Sequence, residues 1–204
     1  MMDARAQAAS TRDARASALS LPNLLTYGRI LATPLVALCL YLDPLWLRWV
    51  GLIVFIVAAV SDFFDGYLAR RWAQQSAIGR MLDPIADKLL VGATLLMLVA
   101  HGDIKGLSLW AALIILSREI LVSGLREFLA ELRVSLPVTR LAKWKTAAQL
   151  VAVGFLVAGP AGDRILPVTT EIGLVLLWLS AVVTLYTGYD YFRAGLRHVI
   201  EEES

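Results

Sequence analysis

Apolar positions along this chain gather into long runs instead of alternating with polar ones. The runs lie around residues 24–42, 45–61, 89–100, 107–117, 147–160 and 172–189, and short stretches of Asp, Pro, Gly and basic residues separate them. Runs apolar around their whole circumference suit helices set among other apolar groups, so the pattern predicts a six-helix bundle. Several runs are shorter than the roughly 20 residues a helix needs to cross hydrocarbon. They span only if helix continues into the polar sequence beside them. Breaks are expected at Asp43–Pro44, Gln74–Gly79, His101–Gly106, Val134–Pro137 and Gly159–Pro167. Connections this short join antiparallel neighbours.

Composition turns the bundle into a membrane protein. With 58% hydrophobic residues among 204 and a mean hydropathy of +0.68, there is too little polar surface to cover a soluble globule. A formal net charge of +2 gives no footprint for nucleic acid. The single cysteine, Cys39, excludes an internal disulfide or a CxxC pair, and His101 and His198 are too scattered for a zinc site. Residues 1–20 lack the apolar core of a signal peptide. Their Arg, Ala and Ser resemble some transit peptides, but Asp3 and Asp13 argue for a cytosolic tail or surface helix. Residues 21–197 then form one membrane domain, and 198–204 a cytosolic C-terminal tail.

The charges are lopsided. All 19 lysines and arginines except Arg48, Lys105 and Arg164 fall on one side of the six spans, which predicts cytoplasmic termini by the positive-inside rule. Every helix is also polar at that end. Asn23, Thr26 and Arg29 open the first, Asp62 and Asp65 close the second, and Asp83 and Asp87 open the third. Arg118, Glu119, Ser123, Arg126 and Glu127 close the fourth, Lys143, Lys145, Thr146 and Gln149 open the fifth, and Thr184, Thr187 and Asp190 close the sixth. The expectation is a polar cavity open to the cytoplasm, acidic on one wall and basic on another. Trp46, Trp49, Trp110, Trp178, Tyr186, Tyr189 and Tyr191 lie near helix ends, as interfacial belts do.

Asp62, Asp65, Gly66 and Ala69 share one helical face, and Gly79, Asp83 and Asp87 share another. If the faces meet, four carboxylates repel unless cations neutralise them. A set of oxygen ligands alone suits Mg²⁺ or Mn²⁺, and two such ions about 3.5 to 4 Å apart fit phosphoryl transfer. The plainer alternative pairs these acids with Arg70, Arg71, Arg80 and Lys88 at a solvated membrane edge.

The order Asp62, two residues, Asp65-Gly66, two residues, Ala69-Arg70, eight residues, Gly79, three residues, Asp83, three residues, Asp87 resembles the signature of the CDP-alcohol phosphotransferase family. The resemblance implies that Asp62, Asp65 and Asp83 bind metal and that Asp87 is both ligand and general base. It also implies that Gly66, Ala69, Arg70 and Gly79 shape a pocket for the cytidine diphosphate moiety, and that the protein is a homodimer. The reaction implied is attack of an alcohol on the lipid-bearing phosphate of a CDP-alcohol, with loss of CMP.

The acceptor is sought on the basic wall. Arg118, Arg126, Lys143 and Lys145 suit an acceptor that is itself a phosphate ester, with Asn23, Thr26 and Arg29 as further pocket residues. They also suit membrane anchoring or anionic headgroups. The segments LPNLLTYGRILATP (21–34), SREILVSGLRE (117–127) and KWKTAAQ (143–149) resemble the bacterial branch that forms phosphatidylglycerophosphate. That implies CDP-diacylglycerol and glycerol 3-phosphate as substrates. Phosphatidylglycerol or inositol phosphate as acceptor, and a metal or organic-anion transporter, are the alternatives.

Overall fold

The computed structural model describes residues 20–42, 44–72, 77–131 and 140–202 of the chain. They form six helices: α1 Leu21–Tyr41, α2 Leu45–Trp72, α3 Ala77–His101, α4 Ser108–Glu131, α5 Arg140–Asp163 and α6 Thr169–Glu202. No strand occurs among the described residues. Each helix outruns its apolar run, as the bilayer argument required. Gly79, expected at a break, lies in α3, and α6 passes the expected tail boundary at 198 to reach Glu202. Residues 1–19 of the expected N-terminal tail lie outside the described residues.

α1, α2, α4 and α6 are long and apolar enough to cross a membrane. Large apolar side chains cover their outer faces, among them Leu31, Ile53, Val57, Leu113, Leu121 and Val182. A surface like this is stable in lipid and not in water. Trp46, Trp110, Tyr186 and Tyr189 are exposed, as interfacial aromatics are.

α1 packs on α2 and α3, α5 on α6 and α2, and α4 on α6. Phe55, Leu90, Leu98, Ile115, Leu156 and Leu177 fill the space between them. Lipid tails are as apolar as leucine, so close packing rather than exclusion of water holds such helices together. Gly173 of α6 shows the consequence, since a Cβ there would stand 2.8 Å from Leu156 of α5. Pro34 interrupts the hydrogen bonding of α1, and the Thr33 hydroxyl caps the neighbouring Arg29 carbonyl at 3.1 Å.

One polar cluster lies at the end where the sequence led us to expect little. Arg48, in the first turn of α2, is fully buried; its Nη2 donates to Asp103 Oδ2 at 2.8 Å and to His101 Nδ1 at 2.7 Å. Arginine cannot accept, so Nδ1 is the imidazole's acceptor nitrogen. Arg48, one of the three basic residues the sequence placed on this side, is thus held in a buried polar cluster. The cluster ties the start of α2 to the end of α3 and bears on α5, where the backbone leaves the helical region at Gly159 (φ 42°, ψ −127°). A Cβ at 159 would meet Arg48 Nη1 at 2.6 Å, so both backbone and space demand glycine.

Candidate functional site

Asn23, Thr26 and Arg29 recur every three residues along α1, and all three are buried. The stripe faces the polar ends of α2 and α3. Arg29 forms an ion pair with Asp62, and the Thr26 hydroxyl donates to Asp83. One turn of α1 therefore holds two carboxylates that belong to two different helices. The sequence marked these α1 residues as pocket residues; in the structure all three are buried, and Thr26 and Arg29 contact carboxylates of α3 and α2.

Asp87 lies one turn beyond Asp83, half-buried, within electrostatic reach of Asp62, Glu119, Lys88 and Arg29. Gly79 is buried at the start of α3. Asp65, Gly66, Ala69 and Arg70 continue α2, and Lys143 lies in the first turn of α5. Beyond that backbone placement these five lie outside the described residues. Among the described residues no three carboxylate, imidazole or thiol groups gather to hold a metal ion; the Asp65 side chain lies outside them. Asp62, Asp83 and Asp87 offer only carboxylate oxygens. That donor chemistry fits Mg²⁺ or Mn²⁺ and not zinc.

The basic wall is partly assembled. Lys145, 3% exposed, pairs with Glu119, whose Oε1 also faces Arg118 Nη1 at 3.5 Å. Arg118 reaches across to α6, where its Nη2 donates to Thr187 Oγ1 at 3.2 Å. Its stem lies over Gly188, where a Cβ would stand 3.0 Å from Arg118 Cγ. Lys145 is also within electrostatic reach of Asp87, so the basic and acidic walls meet there. Arg126 does not join the wall's buried part; its side chain is exposed. Heptad spacing put it near the face of Glu119, but nearly two turns further along the helix its side chain is exposed, although Leu129 beyond it is buried.

Between α3, α4 and α5 lies a cavity of about 560 Å³. Asp87, Lys88, Glu119, Ser123, Glu127, Thr146 and Gln149 line its polar end, while Leu96, Leu116 and Ile120 line its apolar part. The sequence marked Gln149 only as polar, and its burial in this cavity gives it a place the spacing could not. A second cleft, of about 670 Å³ and almost wholly apolar, runs between α2 and α5. Its α2 lining extends from Trp49 to Val60, two residues short of Asp62.

The arrangement can hold an anionic, phosphate-bearing ligand between buried cations and carboxylates, beside a cleft for an apolar chain. The model of the family described as CDP-alcohol phosphatidyltransferase matches residues 19–186. The chain is 46% identical over 175 residues to the CDP-diacylglycerol–glycerol-3-phosphate 3-phosphatidyltransferase of Rickettsia bellii, covering 86% of this chain and 94% of that protein. It is 39% identical to the protein of the same name from Cereibacter sphaeroides, covering 90% of this chain and 99% of the relative. The Shigella flexneri protein of that name is 38% identical, over 90% of this chain and 98% of its own length.

Proposed function

The chain belongs to the CDP-alcohol phosphatidyltransferase family, and from that premise we propose that it transfers the phosphatidyl group of CDP-diacylglycerol to sn-glycerol 3-phosphate. The products are phosphatidylglycerophosphate and CMP. The observation that carries the choice of acceptor is the convergence of Arg118 and Lys145 on Glu119, beside Asp87. Buried cations at that depth are matched to an acceptor that brings its own phosphate. Inositol, serine and choline do not.

Asp62, Asp65, Asp83 and Asp87 would hold two divalent ions, Mg²⁺ or Mn²⁺. When bound, such ions neutralise phosphate oxygens and make CMP a better leaving group. Asp87 takes the proton of the attacking hydroxyl at its carboxylate. Arg118 and Lys145, together with Lys143 and Arg126, bind and orient the acceptor phosphate by charge-assisted hydrogen bonds. Gly66, Ala69, Arg70 and Gly79 accommodate the cytidine diphosphate, Thr26 and Arg29 fix Asp83 and Asp62 from α1, and Asn23 is a further pocket residue. The α2–α5 cleft ends beside Asp62, which suits a lipid whose headgroup is at the aspartates and whose acyl chain lies along the helices.

All six helices cross the bacterial cytoplasmic membrane in this reading, with both termini and the site at the cytoplasmic face. The enzyme works as a homodimer. Polar groups at the site end, and the apolar lining of Leu96 and Leu116 in the rest of the cavity, disfavour a transporter.

The test offers purified protein CDP-diacylglycerol with glycerol 3-phosphate, phosphatidylglycerol or inositol phosphate in turn, and measures CMP. Glycerol 3-phosphate is the expected acceptor, and preference for another alcohol refutes the assignment. An Asp87→Asn variant is expected to lose about 10²-fold or more of the rate. Full CMP release by that variant, with loss of ion flux, would favour the transporter instead.

A further inference from the structure

The polar end of the α3–α4–α5 cavity contains several groups that the reaction above does not employ, Gln149 among them. Gln149 follows Lys145 by four residues on α5, so it lies on the same face and about 6 Å further along the helix. It is 3% exposed and lines the cavity that Asp87 lines. Its Oε1 has no hydrogen-bond donor among the described residues. Next to it the lining turns apolar, with Leu150 and Val91. A buried amide oxygen without a donor is costly, and native proteins keep such groups chiefly where something else completes them.

The chemistry of the cavity says what completes it. Asp87, Glu119, Glu127 and Gln149 present acceptor oxygens, Glu119 already accepting from Lys145, and the Ser123 and Thr146 hydroxyls in the same lining make no hydrogen bond to Gln149 Oε1. Lys88, the one lysine or arginine in the lining, already donates to the Pro84 carbonyl at 2.8 Å. Acceptors in this number call for O–H donors, and a polyol supplies them. Glycerol 3-phosphate carries two hydroxyls, of which only the primary one reacts. Its oxygen forms the new bond to the lipid-bearing phosphorus, its proton passes to Asp87, and the bond from that phosphorus to CMP breaks.

We propose that Gln149 is a specificity-determining residue whose Oε1 accepts a hydrogen bond from the secondary, non-reacting hydroxyl of the acceptor. This assignment rests on the glycerol 3-phosphate reading of the site. It places the acceptor lengthwise, with its phosphate at Lys145 and Arg118 and its carbon chain toward Gln149. A site built to bond a hydroxyl discriminates strongly against the analogue that lacks it, because the protein oxygen is then left buried and unpaired.

The experiment compares glycerol 3-phosphate with propane-1,3-diol monophosphate, which lacks the secondary hydroxyl. Each is offered with CDP-diacylglycerol to full-length wild type, Gln149→Leu and Gln149→Glu in detergent, and kcat/KM is read from CMP release. Wild type is expected to prefer glycerol 3-phosphate by about 10²-fold or more. Gln149→Leu is expected to lose about 10- to 100-fold on glycerol 3-phosphate and to stay within about 3-fold of wild type on the analogue, so the preference collapses. Gln149→Glu, close in shape and still an acceptor, is expected to keep the preference, and it carries the test if the leucine variant does not fold. An unchanged preference ratio in Gln149→Leu, or an equal loss on both substrates, overturns the assignment, as does loss of the preference in folded Gln149→Glu. A wild type that releases no CMP with glycerol 3-phosphate overturns the proposed function instead, so the two failures are distinguishable.

Discussion

Lys145 of α5 and Glu119 of α4 are joined by an ion pair in which the ammonium is buried, and the same carboxylate oxygen faces Arg118. One acid thus holds two cations in place before any ligand arrives. Pre-positioning of this kind lowers the ordering cost of binding a phosphate.

Replacing Lys145 with methionine keeps the length of the side chain and removes its charge. The KM for glycerol 3-phosphate is expected to rise about 10- to 100-fold, the equivalent of one charge-assisted hydrogen bond. CDP-diacylglycerol saturation should change little. Steady-state CMP release at varied concentrations of each substrate checks both, and an unchanged KM for the acceptor removes Lys145 from the phosphate subsite.

Chelation gives a separate reading of the aspartates. Treatment with excess chelator is expected to abolish CMP release, and Mg²⁺ or Mn²⁺ to restore it. Asp83→Asn should raise the metal concentration needed for half-restoration. Activity that survives exhaustive chelation would mean that the four aspartates serve some other purpose.

Asp103→Ala addresses the opposite end of the bundle. It leaves Arg48 fully buried without its carboxylate, a change that costs about 3–5 kcal/mol in comparable buried pairs. A clear drop in the melting temperature of the detergent-solubilised protein is expected, with the KM values of the surviving folded fraction unchanged. Normal thermal stability would show that Arg48 finds other compensation.

Asp163, the last residue of α5, gives a pH-dependent signal. The Thr170 hydroxyl and backbone N–H donate to it, the latter at 2.9 Å, and hold its carboxyl below the ordinary carboxylate value. Folding therefore favours the ionised form. The stabilisation is complete above the ordinary carboxylate range and is lost as pH falls through the lowered folded value. Thr170→Val should melt below wild type at pH 7, and the difference should shrink below about pH 4. A difference that does not vary with pH would assign the effect to packing.

The sequence carried the helix count because lipid-facing surfaces need unbroken apolar runs, and those are visible one residue at a time. The run of α2 to Trp72 agrees with the break expected at Gln74, whereas the continuation of α6 to Glu202 past the expected boundary at 198 was missed, since backbone hydrogen bonding does not stop where hydropathy falls. Thr26 and Arg29 were legible from their three-residue spacing on α1. Arg48 was not, because its partners His101 and Asp103 are 53 and 55 residues away and only the fold brings them near. Arg126 shows the converse failure. A helical wheel assigns direction but not depth, and enclosure by neighbouring helices decides whether a side chain is inside.

The grip of Thr26 and Arg29 on Asp83 and Asp62 confines the described carboxylate anchorage to α1–α3, whereas Arg118 and Lys145 are anchored within α4–α6. The chain is thus laid out in two consecutive cassettes that meet at Asp87. A chimera that keeps residues 21–101 and grafts in the remaining helices from a relative with a different acceptor would exchange one wall while sparing the other. Acceptor choice becomes something that a single crossover point in the 102–107 turn can transplant.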